Sequence, residues 1–175
     1  MTLPATDLGL MAEHLAAHKG MINKLKRYYS TVSITALKKI ISLQVNTMSA
    51  HVRVMLTLIN PNHGGYVEVP PLHYMKNSPS ADAFDQNLGS DNKWIALEAH
   101  AAAKSMATTN FTSALLMKDT NVKYAHIEMA LQQVTLQEMY AEVIKGREWS
   151  FVPHVSVDDQ INTYQHYQNL FYEHK

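Results

Sequence analysis

Residues 34–59 read ITALKKIISLQVNTMSAHVRVMLTLI, and the spacing inside this stretch decides the fold. Ile34, Leu37, Ile41, Gln44, Met48, His51, Met55 and Leu58 recur at steps of three and four. That spacing draws one face of an α-helix and excludes the strict alternation of a half-buried strand. Ser33 stands where an N-cap is expected, and the turn residues Asn60-Pro61-Asn62-His63-Gly64-Gly65 end the helix near residue 59. On the N-terminal side, Leu8, Met11, Leu15, His18, Ile22, Leu25 and Tyr29 repeat the pattern. They predict a helix over about 7–30, capped by Thr6 or Asp7 and broken at the β-branched stretch from Ser30 to Ser33.

Further along, residues 61–90 lose the periodicity and hold Pro70, Pro71 and Pro79. They read as a connection, with one helical turn near Ala81–Asn87. A third helix over 91–118, capped by Ser90 or Asp91, shows the stripe Trp94, Leu97, Ala101, Lys104, Thr108, Phe111 and Leu115. A fourth, over 121–145, shows Val122, Ala125, Met129, Gln132, Leu136, Met139 and Val143, with Gly146 as its stop. A short fifth helix over 157–173 carries Ile161, Tyr164, Leu170 and Phe171 for docking.

Loop lengths then select the topology. Helices one and two, and helices three and four, are joined by a few residues and form antiparallel hairpins. The middle connection of about 30 residues can run the length of a helix of about 37 Å, which permits the long crossover of ferritin-like bundles. The expectation is one all-α domain over residues 1–175: a ferritin-like four-helix bundle built from two hairpins, with a C-terminal helix appended. A weak internal repeat agrees with it. Shifting by 86 sets Leu8 on Trp94, Met11 on Leu97, Leu15 on Ala101, His18 on Lys104 and Leu25 on Phe111; shifting by 88 sets Ile41 on Met129, Gln44 on Gln132 and Met48 on Leu136.

Composition narrows the function classes. The 175 residues are 46% hydrophobic and 17% charged, with six Gly and six Pro, as in a globular helical protein. Cysteine is absent, so disulfides and thiolate metal sites are excluded. No signal-peptide pattern and no apolar run long enough for a bilayer occurs, so synthesis in the cytoplasm and no membrane partner are expected. Net charge is zero, but residues 1–60 carry seven Lys/Arg against Asp7 and Glu13. Lys24, Lys26, Arg27, Lys38 and Lys39 form a basic helix tip that suits an acidic partner, a nucleic acid or an acidic face of another copy. No aromatic-interleaved basic motif points to nucleic acid.

Polar residues interrupting the apolar stripes are the candidate site. A carboxylate di-metal centre in such a bundle needs Glu-x-x-His on two helices, and that motif is absent from the chain. Instead the stripes carry His18, Gln44, His51, Lys104 and Gln132. The reading is a buried hydrogen-bond network, with Gln44 and Gln132 accepting from Lys104 and pairing with His18 or His51, and Lys104 repelling any cation. No metal, cofactor, catalytic residue or small-molecule ligand is expected. Of the ten histidines, His14 and His18 lie one turn apart, which suits zinc, but no third ligand is identifiable from the sequence.

The segments His14-Leu15-Ala16-Ala17-His18-Lys19, Gln44-x-x-x-Met48-x-x-His51 and Leu58-x-x-Pro61, with the second hairpin from Lys104 to Gln132 and Trp149 beyond it, resemble the bacterial spore coat proteins of the coat F type, a ferritin-like family. The likeness covers most of residues 8–150. It departs from the family where Gly146-Arg147-Glu148-Trp149 replaces a Gly-Trp-Tyr-like end, and in segment 61–90. The resemblance implies a structural and assembly role in the spore coat, without established catalysis; a homodimer in contact with other coat proteins is expected, since symmetric dimers are the commonest oligomers. The alternative from another class is a His-rich metal-binding or redox ferritin-like protein.

Overall fold

The computed structural model describes residues 2–72 and 91–172. Within them the chain forms five helices and no strand: α1 (Ala5–Thr31), α2 (Thr35–Ile59), α3 (Asp91–Leu116), α4 (Thr120–Gly146) and α5 (Val157–Tyr172). The helical turn expected near Ala81–Asn87 lies outside the described residues.

α1 pairs with α2 and α3 with α4, and the two hairpins meet through α1 against α3 and α2 against α4. Their relative direction is fixed by two polar clasps at opposite ends. At one end the buried Asp7 carboxylate, in the first turn of α1, accepts from the backbone N–H groups of Lys118 (2.9 Å) and Asp119 (2.8 Å) in the α3–α4 turn. At the other end Asn92, in the first turn of α3, accepts from the Ser33 N–H (2.9 Å) and donates to its hydroxyl (2.9 Å) in the α1–α2 turn. α1 therefore starts where α3 ends, while α2 and α3 start at the same end. That is the two-hairpin topology with a long crossover.

The described part of the crossover follows α4. Val67 exchanges two bonds of 2.8 Å with the Asn121 side chain, and the Gln132 amide donates to the Pro70 carbonyl at 2.8 Å. The two anchoring side chains, Asn121 and Gln132, stand about three helical turns apart on α4.

Several helix ends differ from expectation. Asp7 does not cap its own helix: α1 begins after Pro4, and the carboxylate is drawn to the α3–α4 turn, where it accepts from two backbone N–H groups. Ser33 is likewise occupied with Asn92, and Ile34 takes the N-cap position without a side-chain bond. Gly146 belongs to α4; the chain turns at Glu148, which takes φ 55°, while the Trp149 N–H bonds the Ile144 carbonyl at 3.0 Å. This closes the helix in the left-handed manner usually left to glycine and lays Trp149 against the core.

The stripes of α2 and α4 are buried or half-buried as expected, and that of α1 is too except at its two ends, where Leu8 and Tyr29 are exposed, but that of α3 is not. Its interior face is Ile95, Ala96, Ala99, Ala103, Met106, Asn110 and Ala114. Trp94, Phe111 and Leu115 of the expected stripe are 49%, 49% and 64% exposed, and Lys104 is exposed as well. The register of the repeat moves by one residue with it: Asp7 corresponds to Asn92, Met11 to Ala96, and His18 to Ala103. The cause is size. A stripe chosen by its large apolar residues misses a face of alanines, yet small side chains let two helices approach closely, and α3–α4 is the most extensive helix contact of the fold.

This register has a direct test. Ala103→Leu forces a larger side chain into a fully packed face and is expected to cost about 1–3 kcal/mol, whereas Lys104→Ala is expected to stay within about 0.5 kcal/mol. Urea denaturation of both variants measures the difference.

Candidate functional site

Buried apolar residues form two clusters. One, around Leu25, Ile41, Met48, Leu136 and Tyr140, fills the Asn92 end; the other, around Met11, Met55, Met117, Val122 and Met129, fills the Asp7 end. The interior also holds a layer of polar side chains supplied by every helix of the bundle. α1 contributes His14 and His18, α2 contributes Gln44 and His51, α3 contributes Asn110 and Ser113, and α4 contributes His126, Gln132, Gln133 and Tyr140.

The four histidines stand ring to ring. His14 and His126 have centroids 5.1 Å apart, His18 and His51 5.7 Å, and His14 and His18 6.3 Å. His18, His51 and His126 are fully buried and His14 nearly so. Burial first, and then the proximity of the other rings, hold all four pKa values down at about 4. For His18, His51 and His126, single hydrogen bonds to His14, Gln132 and Val122 act in the opposite, raising sense, and the Asp7 carboxylate also raises His126. All four rings are neutral at pH 7.

Hydrogen bonding fixes three of the tautomers. A backbone carbonyl can only accept, so the His18 Nδ1–H donates to the His14 carbonyl (2.7 Å) and the His126 Nδ1–H to the Val122 carbonyl (2.9 Å). The Gln132 amide nitrogen already donates to the Pro70 carbonyl, so its oxygen faces His51 and takes the Nε2–H at 2.9 Å. His18 Nε2, His126 Nε2 and His51 Nδ1 are left as buried lone pairs with no hydrogen-bond partner.

Of the site residues expected from sequence, His18, Gln44, His51 and Gln132 are brought into this layer and Lys104 is not. The His51–Gln132 pair forms. Gln44 pairs instead with Gln133 (3.2 Å) and accepts from the Tyr140 hydroxyl (2.8 Å). Lys104 faces outward beside His100, whose pKa is lowered by burial and then by that ammonium. It cannot serve as the central cation, because the alanine face of α3 occupies the interior in its place. Gln133 and Tyr140 were missed, and His14 and His126 were left outside the expected network. His14 had a signal, one turn from His18; His126 had a weaker one, next to Ala125 of the inner stripe.

The donor set does not fit a carboxylate di-metal centre. Glu98 is bound to Lys24 between α1 and α3, Asp7 is committed to two backbone N–H groups, and the layer itself supplies imidazole, amide and hydroxyl. Among the described residues no three His, Asp or Glu side chains form a ready cage for a metal ion, and no helix is long and apolar enough to cross a membrane.

No protein-family model matches the chain, and no curated protein matches it in sequence. A solved structure does match in fold: a putative spore coat protein from Bacillus halodurans C-125, with a TM-score of 0.68 over 89% of this chain and 96% of the other, at 14% identity. At that identity the likeness establishes the helical fold that the two chains share.

The neutral layer makes folding stability depend on acid. A histidine whose folded pKa lies below its unfolded value of about 6.5 binds a proton more readily when unfolded. Stability is therefore complete above about pH 6.5, falls as the pH drops toward 4, and levels off below it. Every tenfold loss of proton affinity on folding corresponds to about 1.4 kcal/mol per ring. Urea midpoints measured from pH 7.5 to 4 should show this decline, and His126→Asn should remove roughly one proton from its slope. Tyr140→Phe strips the Gln44 carbonyl of its donor and is expected to cost about 1–3 kcal/mol without altering the pH slope.

Proposed function

We propose that this protein is a non-enzymatic assembly component of a spore coat, of the ferritin-like coat F type, in which the helical bundle is a rigid body and association proceeds between copies. The observation that carries this reading is α5. All sixteen of its residues are exposed, and Val157, Ile161, Tyr164, Tyr167, Leu170 and Phe171 put an apolar side chain at nearly every turn. A helix of this kind has little reason to be stable alone, since most helical stability comes from packing an apolar face. The fold shared with the Bacillus halodurans protein supports the coat as the setting.

A second copy is the partner that the charges favour. The outer face of α3 presents Trp94, Phe111 and Leu115 in one line with Lys104, and α5 presents its apolar side chains with Asp158 and Asp159 in its first turn. The α5 helix of one copy laid on α3 of another covers both apolar stripes and sets carboxylates near an ammonium. Symmetric dimers are also the commonest form of oligomer.

Light scattering coupled to size exclusion tests the proposal on the full chain. A dimer is expected, and Ile161→Glu with Phe171→Glu should weaken it by at least about tenfold while leaving the bundle's circular dichroism intact. Lys104→Glu should weaken it less, and Asp158→Lys with Asp159→Lys should restore it. A protein that stays monomeric at high concentration and does not bind isolated spores contradicts the proposal.

A further inference from the structure

Between Glu13 and Glu68 the chain carries seven Lys and Arg residues and no Asp or Glu, whereas from Glu68 onward eight Lys/Arg accompany thirteen Asp/Glu. That stretch is most of α1, all of α2 and the turn between them, so the imbalance becomes a property of one side of the bundle. Among the described residues Lys24 is neutralised by Glu98 of α3, and no carboxylate pairs with Lys19, Lys26, Arg27, Lys38, Lys39 or Arg53.

Five of these six cations are exposed and Lys38 is half-buried, its ammonium 5.7 Å from the centre of the Tyr29 ring. That contact joins the end of α1 to the start of α2. Lys19 and Lys26 share one side of α1 about 10 Å apart, and Lys39 and Arg53 share one side of α2 about 21 Å apart. Between them the surface is small and neutral, with Gly20 and Asn23 on α1 and Ser42 and Asn46 on α2. The positive charge thus runs from the tip of the hairpin along its outer surface instead of ending at the turn.

We propose that the outer face of the α1–α2 hairpin docks an acidic polypeptide segment of another protein.

Cations that no carboxylate offsets create a positive potential, which selects a partner of the opposite sign and speeds its approach. Arg27 and Arg53 bring planar forks that hold a carboxylate through two bonds, and the lysines bring single ammonium groups on flexible stems that adapt to unevenly spaced acids. Tyr29, 45% exposed, supplies a rigid aromatic anchor beside them. A nucleic acid fits this face less well. Two packed helices are about 20 Å across and cannot enter a major groove about 12 Å wide, and one tyrosine offers no platform for successive bases. A second copy fits less well too, because α5 holds just two carboxylates, both in its first turn. The docking goes beyond the assembly reading and uses none of the residues that reading assigns.

Fluorescence anisotropy with labelled poly-L-glutamate tests the proposal on the full chain. Saturable binding is expected at low salt, weakened at least about tenfold when salt is raised to about 0.3 M. Lys26→Glu with Arg27→Glu and Lys39→Glu should lower the affinity at least about tenfold, and Lys104→Glu with Lys123→Glu, the same kind of change on the other hairpin, should leave it nearly unchanged. The set Lys26→Gln, Arg27→Gln and Lys39→Gln repeats the test without reversed charge, so a triple variant that fails to fold does not shelter the proposal. Ile161→Glu with Phe171→Glu should keep poly-L-glutamate binding while weakening the dimer, which separates this docking from the assembly reading. A wild-type chain that binds no poly-L-glutamate, an equal loss in the Lys104 and Lys123 variant, or tighter retention of duplex DNA than of poly-L-glutamate at the same salt overturns the proposal. So does a dimer that dissociates when the three hairpin cations are reversed, which would make a second copy the occupant.

Discussion

A layer of neutral imidazoles and amides cut across the interior of a helical bundle constrains everything around it. Each polar atom taken out of water has to meet a partner, and here the partners come from different helices. His51 reaches Gln132 across α2 and α4, Gln44 reaches Gln133 and Tyr140 across the same pair, and His14 reaches Ser113 across α1 and α3. Slipping α2 against α4 by one turn breaks three of these bonds at once and slipping α1 against α3 breaks the His14–Ser113 bond, whereas the apolar clusters tolerate repacking. The layer thus specifies which helices face each other and in what register. It does so at a cost in stability, which the leftover lone pairs make visible.

The ends of the bundle obey the same logic with an internal symmetry. Asp7 and Asn92 occupy equivalent places in the first turns of α1 and α3, and each satisfies the turn of the opposite hairpin. One uses a carboxylate to accept from two N–H groups; the other uses an amide to accept one and return one. Together they orient the hairpins so that the crossover has to run back along α4, where Asn121 and Gln132 hold its described part. Gln132 is thereby shared between the crossover and the histidine layer, so the placement of the connecting segment and the tautomer of His51 are linked through one side chain.

Much of this was legible in the sequence, and the illegible part has a physical cause. α1, α2 and α4 bury large apolar residues, so their spacing reveals the inner face, and with it His18, Gln44, His51 and Gln132. α3 buries alanines and leaves Trp94, Phe111 and Leu115 outside, so a reading guided by bulk selects the outer face and brings Lys104 wrongly into the centre. From that one error followed the idea of an ammonium filling the interior. The cation-repelling centre vanishes once Lys104 is placed on the surface, and a layer of neutral imidazoles and amides remains. His126 stayed outside the expected network because contact between α1 and α4 residues is a property of the packed layer and leaves no mark on local spacing. The exposed stripe on α3, meaningless for the core, acquires sense as a surface that α5 of another copy can cover.

Nitrogen-15 chemical shifts of the histidine rings test the central claim most directly, because the two nitrogens of a neutral imidazole separate by tautomer and converge on protonation. At pH 7 the account predicts His18 and His126 in the Nδ1–H form and His51 in the Nε2–H form, unexchanged and unprotonated. Shifts averaged between forms, or any of these rings charged at that pH, contradict it.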